Sequence, residues 1–172
     1  MEPPAELGAA ERELLRQGLR YSLGLRLVVI GASSVLSLLL DPPRSVPIGV
    51  AVVLALNAWN LGYAYLRLSG RGGRWRRSLP AADVAVMCAI CLTQHWTVAP
   101  APNGGPNWVL VALEIVLVTY PWQLGTAALA VATVALTLAY LAGSAEPSPG
   151  GWFSAGPAQV WTLMEALLSW AL

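Results

Sequence analysis

Three residues with metal-binding side chains stand close together in the segment MCAICLTQH, namely Cys88, Cys91 and His95. Their spacings of three and four residues would place them on one face of a continuous helix. The outer two would lie about 10.5 Å apart along the axis, whereas zinc ligands lie about 2.0–2.3 Å from the metal. Because this segment supplies at most two ligands to one ion, we predict no metal site and no cofactor, with these three residues as weak candidates.

Two acidic residues lie within apolar runs, Glu114 in WVLVALEIVLVTY and Glu165 in VWTLMEALLSWAL. A carboxyl group at the middle of a bilayer costs a few kcal/mol, so it must face other helices, be protonated or have a partner. Such a group serves either as a sensing site or as an interhelical hydrogen bond that fixes packing. The amides of Gln94 and Asn57 could reach these acids, and His95 carries an imidazole, a group that ordinarily titrates near neutral pH. The candidate sensing residues are therefore Glu114, Gln94, His95, Glu165 and Asn57.

The composition indicates the environment of these residues. The chain has 172 residues, of which 56% are hydrophobic and 11% charged, and its mean hydropathy is +0.60. A soluble domain must cover its surface with polar side chains, so this composition predicts an integral membrane protein. No phosphate-binding glycine loop, serine triad or zinc-protease helix is present in the sequence. We therefore assign no catalytic residue to the chain and predict no binding to nucleic acid.

Apolar runs long enough to cross or nearly cross a bilayer, which takes about 20 residues as a helix, recur along the chain. Residues 1–22 precede them as a cytoplasmic N-terminal segment, and segments rich in Pro and Gly separate them. They predict an all-α, polytopic integral membrane helix bundle with six transmembrane helices over residues 23–40, 48–66, 81–98, 108–120, 125–142 and 158–172.

Arginine positions predict the orientation of these spans. All ten basic residues are arginines, and nine of them fall on the side of the N-terminus, with only Arg44 on the other side. Since basic loops remain in the cytoplasm, the N-terminus and, after six spans, the C-terminus are both predicted to be cytoplasmic. Asp83 and Arg26 both fall near the cytoplasmic end, where a simple ion pair or snorkelling explains them without a function.

The last apolar run, QVWTLMEALLSWAL, has no Gly, Pro or capping residue where a helix would end. From Ala158 it covers about 22 Å, which falls short of the cytoplasmic face. We expect this helix to continue into the cytoplasm in the native protein and to act as a coupling helix. The apolar stripe available for its packing, at spacings of three and four, consists of Leu163, Ala166, Leu167 and Trp170.

Four segments together resemble the N-terminal transmembrane sensor region of a family of sensor histidine kinases from high-GC Gram-positive bacteria. They are LRYSLGLRLVVI, LPAADVAVMCAICLT after the arginine-rich loop, NGGPNWVLVALEIVLVTYPWQLG, and VWTLMEALLSWAL. The resemblance implies a multi-pass homodimer in the bacterial cell membrane that senses a membrane or envelope signal. Its last helix would pass that signal to a kinase absent from this chain, and through it to a response regulator.

A second interpretation of the same sequence is a small self-contained polytopic membrane protein. It would be a transporter, an assembly subunit, or an integral-membrane enzyme that uses Glu114 and Glu165 as its converging acids. Both interpretations share one partner, the lipid bilayer. The coding sequence downstream of Leu172 distinguishes them, because only the first requires a kinase there.

Overall fold

The computed structural model describes residues 4–69, 78–98 and 107–144, and every regular element in these ranges is helical. A 3-10 turn at Tyr120–Trp122 follows the fifth helix. The helices are α1 (Pro4–Leu40), α2 (Val46–Leu68), α3 (Leu79–Leu92), α4 (Gln94–Thr97), α5 (Trp108–Thr119) and α6 (Thr126–Ser144). The all-α prediction is confirmed for these residues, and the predicted span 158–172 lies outside them.

In the part of the chain that the structure describes, three helices are long and apolar enough to cross a membrane: Arg12–Leu40 within α1, Val46–Leu68 and Thr126–Ser144. The 23 residues of α2 cover about 34 Å, against a hydrocarbon core about 30 Å thick. The apolar helices Leu79–Leu92 and Trp108–Trp122 are shorter. Of the six predicted spans, three therefore correspond to helices of spanning length, as expected of a membrane protein.

Two helices differ from the predicted segments. α1 begins at Pro4 rather than at Leu23, so the polar N-terminal segment and the first apolar run form one helix. Its first turns are rich in Ala, Glu, Leu and Arg, which favour helix. The third apolar run is divided in two, because the N–H of Thr93 bonds to the carbonyl of Ile90 at 3.0 Å and closes a tight turn of the 3-10 kind.

The helices pack in two main groups. α1 lies against α5 and α2, while α3 lies against α6. The contact between α3 and α6 depends on Gly143, where a Cβ atom would collide with the carbonyl oxygen of Cys91. Buried side chains fill the centre of the bundle, among them Ile30, Leu56, Met87, Val109, Leu113, Val116 and Leu136.

The two ends of the bundle differ in charge. We call one the arginine end, which contains Arg12, Arg16, Arg20, Arg67 and the 3-10 turn. The opposite end contains the loop 41–45 and α4, where the N–H of Ser45 donates to the carbonyl of Trp96 at 3.1 Å. Because α1 and α2 run in opposite directions between these ends, residues far apart in sequence meet at the same depth.

Candidate functional site

A buried ion pair connects α1 with α3 close to the arginine end. Arg26 Nη1 donates to Oδ2 of Asp83 and Arg26 Nη2 donates to Oδ1, each at 2.7 Å. Arg26 is 1% exposed and Asp83 is fully buried. Two parallel charge-assisted bonds are stronger and more directional than one. The two helices are therefore joined in a defined geometry that solvent does not reach.

The carboxylate of Asp83 accepts two further hydrogen bonds. Trp59 Nε1 of α2 donates to Oδ1 at 2.8 Å, and the hydroxyl of Tyr120 in the 3-10 turn donates to Oδ2 at 3.0 Å. An ionised carboxylate offers about four acceptor positions, and these four donors use them. The carboxylate of Asp83 is therefore held at once by donors from α1, α2 and the 3-10 turn.

The guanidinium of Arg26 is held on its other sides by α2. Its Nε donates to Oδ1 of Asn60 at 2.6 Å, and its Cζ lies 4.9 Å from the centroid of the Tyr63 ring, within range of a cation–π interaction. Side chains from four segments thus surround one ion pair. We call them the buried charge network, which comprises Arg26, Trp59, Asn60, Tyr63, Asp83 and Tyr120.

The buried charge network is linked to the surface at the arginine end. The hydroxyl of Tyr63 donates to Oε1 of Gln123, and Arg67 Nε and Nη2 donate to the same oxygen at 3.0 and 2.9 Å. Gln123 Nε2 donates to the carbonyl of Thr119 at 3.2 Å, which fixes the amide. A displacement of Arg67 would therefore be transmitted to Tyr63 and the guanidinium beneath it.

The position of the ion pair along α1 places it within the apolar part of the bundle. About 20 helical residues cross a bilayer core, and counting back from Leu40 this length reaches Tyr21. If α1 crosses a bilayer over these residues, Arg26 would lie about 8 Å inside the core. Charges within membrane helices are rare and mark functional sites. This position, rather than the burial alone, makes the network the candidate functional site.

The network stabilises one arrangement of the helices and carries no evident reaction chemistry. Its members are engaged with one another through the hydrogen bonds, the ion pair and the ring contact described above. Removing one member of a buried ion pair leaves the other charge without compensation and typically costs about 3–5 kcal/mol. A change in packing that separated Arg26 from Asp83 would therefore have to overcome a cost of this order.

Gln94, a predicted sensing residue, belongs to a second polar group at the opposite end. Its Nε2 donates to the carbonyls of Cys91 and Tyr140 at 2.9 and 3.2 Å. Its Oε1 accepts from Nδ2 of Asn107 at 3.0 Å, and Asn107 Oδ1 caps α5 by accepting from the N–H of Leu110 at 2.9 Å. The amide therefore ties α4 to α6 and to the start of α5.

Two other predicted sensing residues, Asn57 and Glu114, lie on the described helices α2 and α5. Asn57 Nδ2 donates to Ser34 Oγ at 3.1 Å and thereby links α2 to α1. Glu114 is partly buried on α5, with its Oε1 inaccessible to solvent. Glu165 lies outside the described residues, as do the coupling-helix residues Leu163, Ala166, Leu167 and Trp170. The converging acid pair predicted for an enzyme therefore has one described member.

Cys88, Cys91 and His95 do not share one face. The turn at Thr93 separates α3 from α4, so Cys91 is buried whereas His95 is exposed. The Nδ1 atom of His95 lies 3.3 Å from Nη1 of Arg44. Both cysteines are free thiols. Within residues 4–69, 78–98 and 107–144, no three His, Cys, Asp or Glu side chains are grouped to hold a metal ion.

Sequence reasoning explained Arg26 and Asp83 by a simple pair or by snorkelling, without a function, and overlooked their partners. The depth of these residues along the helices could have identified them. Because α2 runs antiparallel to α1, Trp59 and Asn60 lie toward the arginine end of α2, at the level of Arg26. Polar and aromatic residues that share a depth with two opposite charges are candidates for one cluster.

Comparisons with protein families, with curated proteins and with solved structures find no match to this chain.

Proposed function

We propose that this chain is the membrane-embedded sensor and anchor region of a sensor histidine kinase. In this proposal a change in the membrane or envelope alters helix packing, and the last helix passes the change to a cytoplasmic kinase that phosphorylates a response regulator. The observation that carries the proposal is the buried charge network. A sensor needs elements with discrete arrangements, and a buried ion pair shared by four segments favours discrete over graded change.

The proposal includes six spans with both termini in the cytoplasm of a bacterium. Three helices of spanning length support it. Two shorter apolar helical segments would supply two further spans, namely 79–97, which contains α3 and α4, and Trp108–Trp122. Residues 158–172 would provide the sixth span. The arginine end would face the cytoplasm, as the positive-inside rule requires. The buried charge network would then lie on the side from which a kinase would be reached.

The proposal also includes a homodimer, because kinases of the resembled family act as dimers. The stripe of Leu163, Ala166, Leu167 and Trp170 would pack near the two-fold axis. The simplest test is the coding sequence downstream of Leu172. A kinase reading frame is expected, and a stop codon there would instead favour the self-contained membrane protein.

A functional test fuses a histidine kinase catalytic region of the resembled family directly after Leu172 and measures autophosphorylation in membranes. Asp83→Asn and Arg26→Gln are expected to change the activity about tenfold, within the usual range of coupling free energies. Asp41→Asn and Arg44→Gln are the matched controls, since both residues are exposed at the opposite end, and they should leave activity unchanged. Equal activity in all five proteins would contradict a signalling role for the network.

A second experiment inserts one, two, three or four Ala between Leu172 and the kinase. A helix propagates rotation along its axis, so the activity should change with each insertion and partly recover near four, about one helical turn. Activity that is indifferent to every insertion would exclude the last helix as the signalling element. The chain would then serve the kinase as an anchor alone.

A further inference from the structure

A pocket of about 510 Å³ opens at the arginine end. This volume falls within the range of small-molecule sites, about 300–1,000 Å³. Among the described residues that line it, four of nine are arginines and none is acidic. These lining residues are Arg12, Leu15, Arg16, Leu19, Arg20, Arg67, Leu68, Ser69 and Trp122. The pocket therefore combines a strong positive charge with an apolar wall.

The arginines come from two helices and converge on the pocket. Arg12, Arg16 and Arg20 follow one another at intervals of four on α1, which stacks them along one face. Arg67 approaches from the last turn of α2. Like charges four residues apart destabilise a helix, so a bound anion would offset their repulsion.

Contacts among the described residues only partly compensate this charge. Arg16 lies 3.6 Å from Glu13, with both side chains more than half exposed, and such surface pairs contribute about 0–1 kcal/mol. Arg12 Nε donates to the carbonyl of Gly8 at 2.8 Å. Because a carbonyl group carries no net charge, this contact does not neutralise the guanidinium. The pocket therefore favours an anion of higher charge density, such as a phosphate group.

The depth of the pocket indicates where that phosphate comes from. An apolar crossing of about 20 residues that ends at Leu40 would begin at Tyr21. Arg20 would then lie at the level of the lipid headgroups, and Arg12 about 12 Å further out. Trp122 lies against α1, where a Cβ on Gly18 would be 2.6 Å from its ring, and tryptophan favours the headgroup region. Leu15 and Leu68 are each about half exposed beside it.

We propose that this pocket binds the phosphate headgroup of an anionic phospholipid in the leaflet that meets the arginine end. Guanidinium groups recognise the phosphate oxygens with bidentate hydrogen bonds, while Trp122 and the leucines contact the glycerol and the start of the acyl chains. Because Arg67 also binds Gln123, the bound lipid contacts a residue linked to the buried charge network. The proposal concerns lipid binding and does not depend on the presence of a kinase.

The test uses the 172-residue chain in a neutral detergent and follows its thermal unfolding midpoint. The chain is titrated with dihexanoyl phosphatidylglycerol, with dihexanoyl phosphatidylcholine and with glycerol phosphate. We expect a saturable rise of the midpoint with phosphatidylglycerol only, which becomes smaller as salt is added. The triple variant Arg12→Gln, Arg16→Gln, Arg20→Gln should bind roughly 100-fold more weakly.

Arg44→Gln is the matched control, since it removes one exposed arginine at the opposite end and should bind phosphatidylglycerol like the unmodified chain. If the triple variant does not fold, Arg20→Gln replaces it, with an expected loss of about fivefold. An equal rise with phosphatidylcholine would exclude recognition of the charged headgroup. An equal rise with glycerol phosphate would show a site for soluble phosphate compounds, and unchanged affinity in the arginine variants would exclude the pocket.

Discussion

The carboxylate of Asp83 accepts four hydrogen bonds where solvent does not reach it, and this determines the effect of a substitution there. Asp83→Leu leaves the guanidinium of Arg26 buried without its counter-charge. We expect the free energy of unfolding to fall by about 3–5 kcal/mol, measured by denaturant titration in mixed micelles. Asp41→Leu, at an exposed position, should change it by no more than about 0.5 kcal/mol.

Replacing both charges should cost less than replacing one. The variant Arg26→Met, Asp83→Leu removes the whole ion pair and leaves apolar side chains of similar length, an exchange that is often neutral or stabilising in buried pairs. We expect it to recover most of the stability lost in Asp83→Leu. If the two single substitutions proved additive in the double variant, the two side chains would not interact as the structure shows.

At the scale of residues, the two charged members of the network were easier to recognise from the sequence than the neutral side chains that hydrogen-bond to them. Opposite charges at Arg26 and Asp83 near one end of the bundle suggested a pair, with snorkelling left open as the alternative. The donors from Trp59 and Tyr120 depend on the rotation of α2 and on the 3-10 turn after α5, and no local pattern encodes either. The same limit applies to Gln94, which was named as one of several side chains that could partner Glu114, because no local pattern indicated its hydrogen bond with Asn107.

At the scale of helices, the contact between α3 and α6 depends on the absence of a side chain at Gly143. A Cβ there collides with the carbonyl oxygen of Cys91, so Gly143→Ala must separate the two helices. We expect it to lower the free energy of unfolding by about 1–3 kcal/mol. Gly62→Ala is the matched control, because nothing lies within 4 Å of its Cβ and alanine favours helix. A smaller loss for Gly143→Ala than for Gly62→Ala would contradict this packing.

Apolar runs were sufficient to locate the described helices, because burial in lipid requires long stretches of apolar residues. They did not reveal that α1 starts at Pro4, since hydropathy records the membrane boundary and not the helix boundary. Nor did they reveal the break at Thr93. Threonine closes that turn with its hydroxyl on the carbonyl of Ile90 at 2.7 Å, a local competition with helix that hydropathy does not register.

At the scale of the whole molecule, the orientation in the membrane can be tested at two exposed positions on opposite ends. In a background with both native cysteines replaced by Ala, Ser69→Cys marks the arginine end and Asp41→Cys the other. We expect a membrane-impermeant thiol reagent added to intact cells to label Asp41→Cys and to spare Ser69→Cys. Labelling of both after the cells are opened is the control. The reverse pattern in intact cells would invert the proposed topology.

The ion pair between Arg26 and Asp83 also constrains how the protein is made. Its members are separated by 57 residues, so a ribosome working at about 5–20 residues per second completes the aspartate roughly 3–11 s after the arginine. During that interval the first hydrophobic segment has to enter the bilayer with an uncompensated cation. We expect Arg26 to stay near the interface until α3 has been synthesised, because a charged side chain in the hydrocarbon core is costly. Biogenesis of this protein would therefore include a delayed step, in which the first helix reaches its final depth only after the third has been synthesised.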